Sequence, residues 1–109
     1  MTSRAITNSL LRLDGVVGSL PAPFERPNEK MDFFVLELGL ESNVDRWCGR
    51  TAETLRRHAD LLRQARASGA TLSLFVESAR SVPVIRFTAS FLAVLAVAGI
   101  SLECSYGTA

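Results

Sequence analysis

The stretch FLAVLAVAGISLECSY, residues 91–106, joins two different patterns at one glycine. Its first half is apolar at every position as far as Ala98, which predicts a helix that Thr88 or Ser90 caps and Gly99 ends. From Ile100 onward apolar and polar residues alternate, as in a strand with one covered face. The predicted inward side chains of this last strand are Ile100, Leu102, Cys104 and Tyr106.

Two further strands and a long helix are predicted before this stretch. Residues 31–42 and 70–77 both alternate, and they place Phe34, Leu36, Leu38 and Leu40 inward in one strand and Leu72, Leu74 and Val76 inward in the other. Between them, apolar residues recur every three or four positions from Val44 to Ser68. This spacing predicts a long amphipathic helix that Gly69 closes.

The remaining segments are predicted from weaker patterns. Val82 to Phe87 is interpreted as a short strand, which Pro83 would confine to an edge or a strand start. Near the N-terminus, Ser3 is a candidate cap, and Ile6, Leu10, Leu13 and Val17 have helical spacing. We therefore predict a first helix ending near Asp14, followed by a long loop from Gly15 to Lys30 that is rich in glycine and proline.

Together these elements predict one α+β domain over residues 1–109. Residues 1–30 would form the N-terminal helix and loop, and residues 31–109 a two-layer sandwich with the βαββαβ order of ferredoxin-like folds. One-sided alternation favours this architecture over a doubly wound parallel sheet, whose strands are apolar on both faces. If residues 82–87 form only a loop, the alternative is a three-stranded mixed sheet.

The composition excludes several classes of protein. With 48% apolar and 21% charged residues, the chain is an ordinary globular sequence and not a disordered one. Twelve basic and eleven acidic residues leave a net charge of +1, which argues against nucleic-acid binding. The apolar run from Phe91 to Ile100 is shorter than the roughly 20 residues that span a bilayer, and no secretory signal is evident. We therefore expect a cytoplasmic protein without membrane contact.

The sequence contains few groups that could perform chemistry. Cys48 and Cys104 are predicted to be free, reduced core thiols, with a disulfide and a reactive thiol as the alternatives. His58 is the only histidine and is predicted to lie at the boundary of the long helix. No catalytic, metal-binding or cofactor-binding residue is predicted. The outward strand residues Glu37, Glu77 and Glu103 are interpreted as a solvated sheet face, with a hard-cation site or an acid/base pair as the alternatives.

About 60 residues from Trp47 onward resemble the C-terminal part of the bacterial domain of unknown function 4279 family. The resemblance rests on the segments RRHADLLRQARASGA, TLSLFVES and FLAVLAVAGISLECSYG. The residues that resemble the family are at core and cap positions, namely Leu61, Leu62, Gly69, Leu72, Leu74, Val76, Leu92, Leu95, Gly99, Ile100, Leu102 and Tyr106. That family usually begins with a strand and has a tryptophan in its proline region, whereas here a helix is predicted first and residues 15–30 contain no tryptophan. The resemblance implies no activity.

The last helix offers the strongest indication of function, because it has no polar stripe and a two-layer domain covers only about half of a helix. The rest could be covered by the first helix and the long loop, by a second copy of the chain, or by a membrane surface, although the cationic face of interfacial helices is missing. The candidate interface residues are Phe33, Val35, Phe75, Phe91, Val94 and Val97. We predict a non-enzymatic interaction module that forms a homodimer. The alternative is a small-molecule-binding regulatory or enzymatic domain, with a pocket near the N-terminal loop at Trp47, His58 and Tyr106.

Overall fold

A computed structural model of the chain describes residues 5–80 and 84–107. Within them, a four-stranded mixed sheet has three helices packed on one side. The elements in chain order are β1 (Ile6–Asp14), β2 (Phe33–Glu37), α1 (Val44–Arg57), α2 (Ala59–Ala67), β3 (Thr71–Ser78), α3 (Ala89–Ala98) and β4 (Ile100–Tyr106). The predicted α+β class is thus confirmed. No helix in these two ranges is long and apolar enough to cross a membrane.

The predicted first helix is wrong, because residues 6–14 form strand β1 in the middle of the sheet. β1 pairs antiparallel with β2 on one side and with β3 on the other. Its buried residues Ser9, Leu11 and Leu13 face the helices, but Leu10 adds an apolar side chain on the opposite face. Because β1 has apolar residues on both faces, apolar and polar residues do not alternate along it. The remaining spacing of Ile6, Leu10 and Leu13 also fits a helix.

The strand order also differs from the ferredoxin-like prediction. The order across the sheet is β2-β1-β3-β4, and only β3 and β4 are parallel neighbours. Residues 84–87 of the predicted third strand have no strand structure, and Val82 and Pro83 lie outside the described residues. The fourth strand is instead β1, so the predicted sandwich of residues 31–109 lacks one of the two central strands.

The helices begin and end close to the predicted positions, with one interruption. Asn43 caps α1, since its Oδ1 accepts a hydrogen bond from the Arg46 amide at 2.9 Å. The predicted long helix is divided at His58 into α1 and α2, and Gly69 follows α2 in the left-handed conformation with φ 101°. For α3, the Thr88 side chain accepts from the Phe91 amide and Gly99 forms the C-cap, which confirms both predicted ends.

Two of the predicted inward faces are only partly covered. β2 ends at Glu37 because the amides of Leu38 and Gly39 both donate to the Ser9 carbonyl, which breaks the regular pairing. Leu40 beyond this irregularity is exposed. In β4, Ile100 is buried, but Cys104 and Tyr106 are exposed because β4 is an edge strand with a neighbour on one side only.

Trp47 lies at the centre of the layer between the helices and the sheet. Its ring packs edge-on against Phe91 at a centroid distance of 5.1 Å and contacts Phe87 at 6.0 Å. The indole N–H donates to the Ser9 hydroxyl at 2.9 Å, and that hydroxyl donates to the Gly39 carbonyl at 2.7 Å. Trp47 therefore joins α1, β1 and the end of β2 through groups whose hydrogen bonds are satisfied.

Candidate functional site

The side of the sheet that no helix covers forms the first candidate surface, here called the open sheet face. Because paired residues in a sheet point to the same side, the register places Phe33, Val35, Leu10 and Phe75 together on this face. All four are partly buried, and they line a shallow depression of about 290 Å³. The predicted outward positions of Phe33, Val35 and Phe75 are confirmed.

Arg12 is the one basic residue among the strand positions of this face. Its guanidinium lies 3.8 Å from the centre of the Phe33 ring and donates to both carboxylate oxygens of Asp14, with a shortest contact of 2.8 Å. The hydrogen bond to Asp14 raises the pKa of Arg12 above its ordinary value. Arg12 is therefore already paired with an anion of its own chain.

The three outward glutamates share the open sheet face but do not converge. Glu37 and Glu103 stand at the two edges, with Leu10 and Phe75 between them in the same row. Glu77 accepts a hydrogen bond from the Thr7 hydroxyl at 2.7 Å. In the described part of the chain, no group of three histidine, cysteine or acidic residues is close enough to hold a metal ion.

The second candidate surface is a groove of about 580 Å³ between α2 and α3, here called the helix groove. One wall is the apolar surface of α3, with Ala93, Val94 and Val97. The other wall combines apolar residues such as Leu62 with arginines at its rim. The complete lining is Leu55, Arg56, Ala59, Leu62, Arg63, Arg66, Ser90, Ala93, Val94, Val97 and Ala98.

The charged residues that line the helix groove are all arginines. Arg63 pairs with Asp60 at 2.8 Å, on the exposed side of α2. The Arg66 guanidinium lies against Gly99, at the carboxyl end of α3, where a cation interacts favourably with the helix dipole. Sequence reasoning did not single out Arg56, Arg63 and Arg66. Their spacing of seven and three residues was the signal that they share one side of the helical segment.

The outer surface of α3 is uncovered in the described chain. Val97 is 85% exposed and Leu92 is 44% exposed. The predicted cover by a first helix does not exist. The long loop packs elsewhere, because Phe24 contacts the His58 ring and Glu25 pairs with Val35 of β2.

The six predicted interface residues do not form one surface. Phe91 is 1% exposed and belongs to the core, so it is not available to a partner. Val94 and Val97 line the helix groove, whereas Phe33, Val35 and Phe75 lie on the open sheet face at the opposite side of the molecule. A two-fold interface between two copies can therefore use one of these sets but not both.

The three predicted pocket residues are also separated. Trp47 is fully buried, and His58 lies at the junction of α1 and α2 against Phe24. Tyr106 is 63% exposed and borders a cavity of about 190 Å³ together with Phe87 and Cys104. Ligand pockets are usually larger than 300 Å³. The geometry therefore gives no single pocket made of Trp47, His58 and Tyr106.

The two cysteines occupy different environments. Cys48 belongs to α1 and is buried, as predicted for a core thiol. Cys104 is exposed on β4, so the prediction of a core thiol is wrong for this residue. Partial desolvation nevertheless raises the pKa of the Cys104 thiol. This shift disfavours the thiolate, which is the nucleophilic form, relative to the thiolate of an unstructured cysteine.

Comparison of the chain with models of protein families, with curated proteins and with solved structures gives no significant match.

Proposed function

We propose that the protein is a non-enzymatic interaction module that forms a homodimer through α3 and acts in the cytoplasm. The observation that carries this proposal is the outer surface of α3, which is apolar, uncovered and continuous with the helix groove. A surface of this kind is typical of a protein-interaction site.

A second copy of α3 is the occupant that fits the groove. α3 has ten residues and is about 15 Å long, and α2 and α3 line the groove along a comparable length. Residues 89–98 contain no charged side chain, so α3 itself brings no charge into the contact, and the arginines stay at the rim of the groove. Ala93 and Ala96 allow a close approach of the two helices, and a two-fold axis between them would make the contact mutual.

The exposed side chains can supply the required free energy. Full burial of a large aliphatic side chain contributes about 1.5–3 kcal/mol. A two-fold contact at the helix groove buries Val94 and Val97 from each copy, although part of Val94 is already covered. Such a sum is comparable with the several kcal/mol that association costs in lost freedom.

Membership of the domain of unknown function 4279 family stays a proposal. One argument against it no longer applies, because that family usually begins with a strand and the first described element of this chain is strand β1. The absence of a tryptophan from residues 15–30 remains a difference.

The proposal is tested by placing a charge on α3. Val97→Lys should convert a dimer into a monomer in sedimentation velocity at micromolar concentration, because an ammonium group would be buried against an apolar helix and beside the arginines of the groove. Val17→Lys is the matched control, since Val17 is 84% exposed in the long loop and should leave the dimer intact. Equal sedimentation of wild type and Val97→Lys would contradict the proposal. Loss of the dimer in Phe75→Glu alone would place the contact on the open sheet face instead.

A further inference from the structure

The open sheet face combines a central apolar strip with carboxylates at both edges. Across the strands, the register aligns Glu37 on β2, Leu10 on β1, Phe75 on β3 and Glu103 on β4 in one row. The row thus has an acidic residue at each end and two apolar residues in the middle. Phe33 and Val35 continue the apolar surface along the edge strand β2, beside Arg12 on β1, and Glu77 adds a third carboxylate near the other end of the sheet.

The width of this row matches the diameter of a helix. Adjacent strands are about 4.8 Å apart, so three spacings separate the Glu37 and Glu103 backbones by about 14 Å. An α-helix with its side chains is about 10–12 Å across. A helix lying on Leu10 and Phe75 would therefore have a carboxylate on each side.

The carboxylates of this row are available to a partner. Among the described residues, no lysine or arginine forms an ion pair with Glu37, Glu77 or Glu103. Arg12, the one basic residue among the strand positions of this face, pairs with Asp14, and Glu103 interacts with it only at longer range. A partner would thus meet unpaired negative charge at both edges of an apolar surface.

From this arrangement we infer that the open sheet face binds a basic amphipathic helix of a partner protein. Its apolar side would lie on Leu10, Val35 and Phe75, and lysine or arginine side chains on both flanks would reach Glu37 and Glu103. This mode is the packing of an amphipathic helix on an apolar surface, with specificity from complementary charge. The inference goes beyond self-association, because α3 lies on the other side of the sheet and a dimer through α3 leaves both open sheet faces accessible.

The direct test uses a synthetic peptide of about 18 residues, long enough for five helical turns, with leucines on one side and lysines on both flanks. Its binding to the full chain is measured by fluorescence anisotropy, beside a peptide with glutamate at every lysine position. We expect the lysine peptide to bind and the glutamate peptide not to bind. Equal binding of the two peptides would overturn the inference, because charge would then play no part.

A pair of matched variants locates the contact. Glu37→Gln combined with Glu103→Gln preserves side-chain size and should weaken the lysine peptide about tenfold. The control combines Glu53→Gln with Asp60→Asn, which removes two exposed carboxylates from α1 and α2 and should leave binding unchanged. An unchanged affinity in the first variant, or equal losses in both, would overturn the inference. Dissociation of the peptide-free dimer by Phe75→Glu would do the same, because a second copy would then occupy this face.

Discussion

The two sides of the molecule both present apolar side chains, but the charged residues beside them have opposite signs. The helix groove has Val94 and Val97 beside three arginines, whereas the open sheet face has Phe33 and Phe75 beside three glutamates that form no ion pair within residues 5–80 and 84–107. The net charge of +1 conceals this separation completely. Balanced composition argues against broad phosphate binding, but it does not exclude surfaces that each select a partner by charge.

Both surfaces depend on the layer between them, and Trp47 is the side chain whose loss should affect both most. Trp47→Ala removes the contacts with Phe87 and Phe91 and the hydrogen bond to Ser9. We expect the free energy of unfolding to fall by about 3–5 kcal/mol in urea titration. Trp47→Phe retains an aromatic ring and should cost clearly less. A loss below about 1 kcal/mol for the alanine variant would show that the two surfaces do not rest on a shared core.

The helix-groove side can be altered separately at Gly99. This residue has φ 69°, and a β-carbon on it would collide with the Arg66 guanidinium. Gly99→Ala should lower the free energy of unfolding by about 1–2 kcal/mol, because alanine is strained in the left-handed region. Gly49→Ala is the control, since Gly49 lies in α1 with open space around its α-carbon and should stabilise by about 0.5–1 kcal/mol. Equal thermal shifts in the two variants would contradict this account of the end of α3.

Peptide binding to the open sheet face and dimerisation through the helix groove should respond differently to salt. Raising sodium chloride from 0.05 to 0.5 M screens exposed charges, so the lysine peptide should bind the open sheet face about tenfold more weakly. Dimerisation through the helix groove should not weaken under the same conditions, because α3 is uncharged and salt screens the repulsion between the groove arginines of the two copies. Titrations of peptide affinity and dimer dissociation at four salt concentrations provide the measurement. Parallel salt dependence of both equilibria would remove the contrast between an electrostatic and an apolar surface.

The smallest expected effect concerns Cys104, which lies on the edge strand β4. One thiol should react with a disulfide reagent in the native protein, and the second, Cys48, only after unfolding. Because desolvation raises the pKa of Cys104, its thiolate fraction near neutral pH is below that of an unstructured cysteine. Its rate should therefore be lower than that of a short cysteine peptide and rise over a higher pH range. Two fast thiols, or none after denaturation, would contradict the placement of these residues.

The contrast between the two sides was only half predictable from the sequence. The apolar α3 and its ends at Thr88 and Gly99 are local features, so residues 88–99 alone suffice to predict them. The strand β1 was missed because Leu10 lies on the open sheet face and conceals the alternation of a central strand. The row from Glu37 to Glu103 follows from the pairing of β1 with both β2 and β3, which residues distant in sequence determine. The outward glutamates could thus be predicted individually, but their places at opposite edges could not.

The molecular mass of the unaltered chain in solution tests the central claim most directly. Sedimentation equilibrium between about 1 and 100 μM should give a mass that rises toward twice the 11.8 kDa of one chain, as a dimer through α3 requires. A mass of 11.8 kDa that does not change with concentration would contradict the account. The exposed surface of α3 would then have no second copy of the chain as its partner.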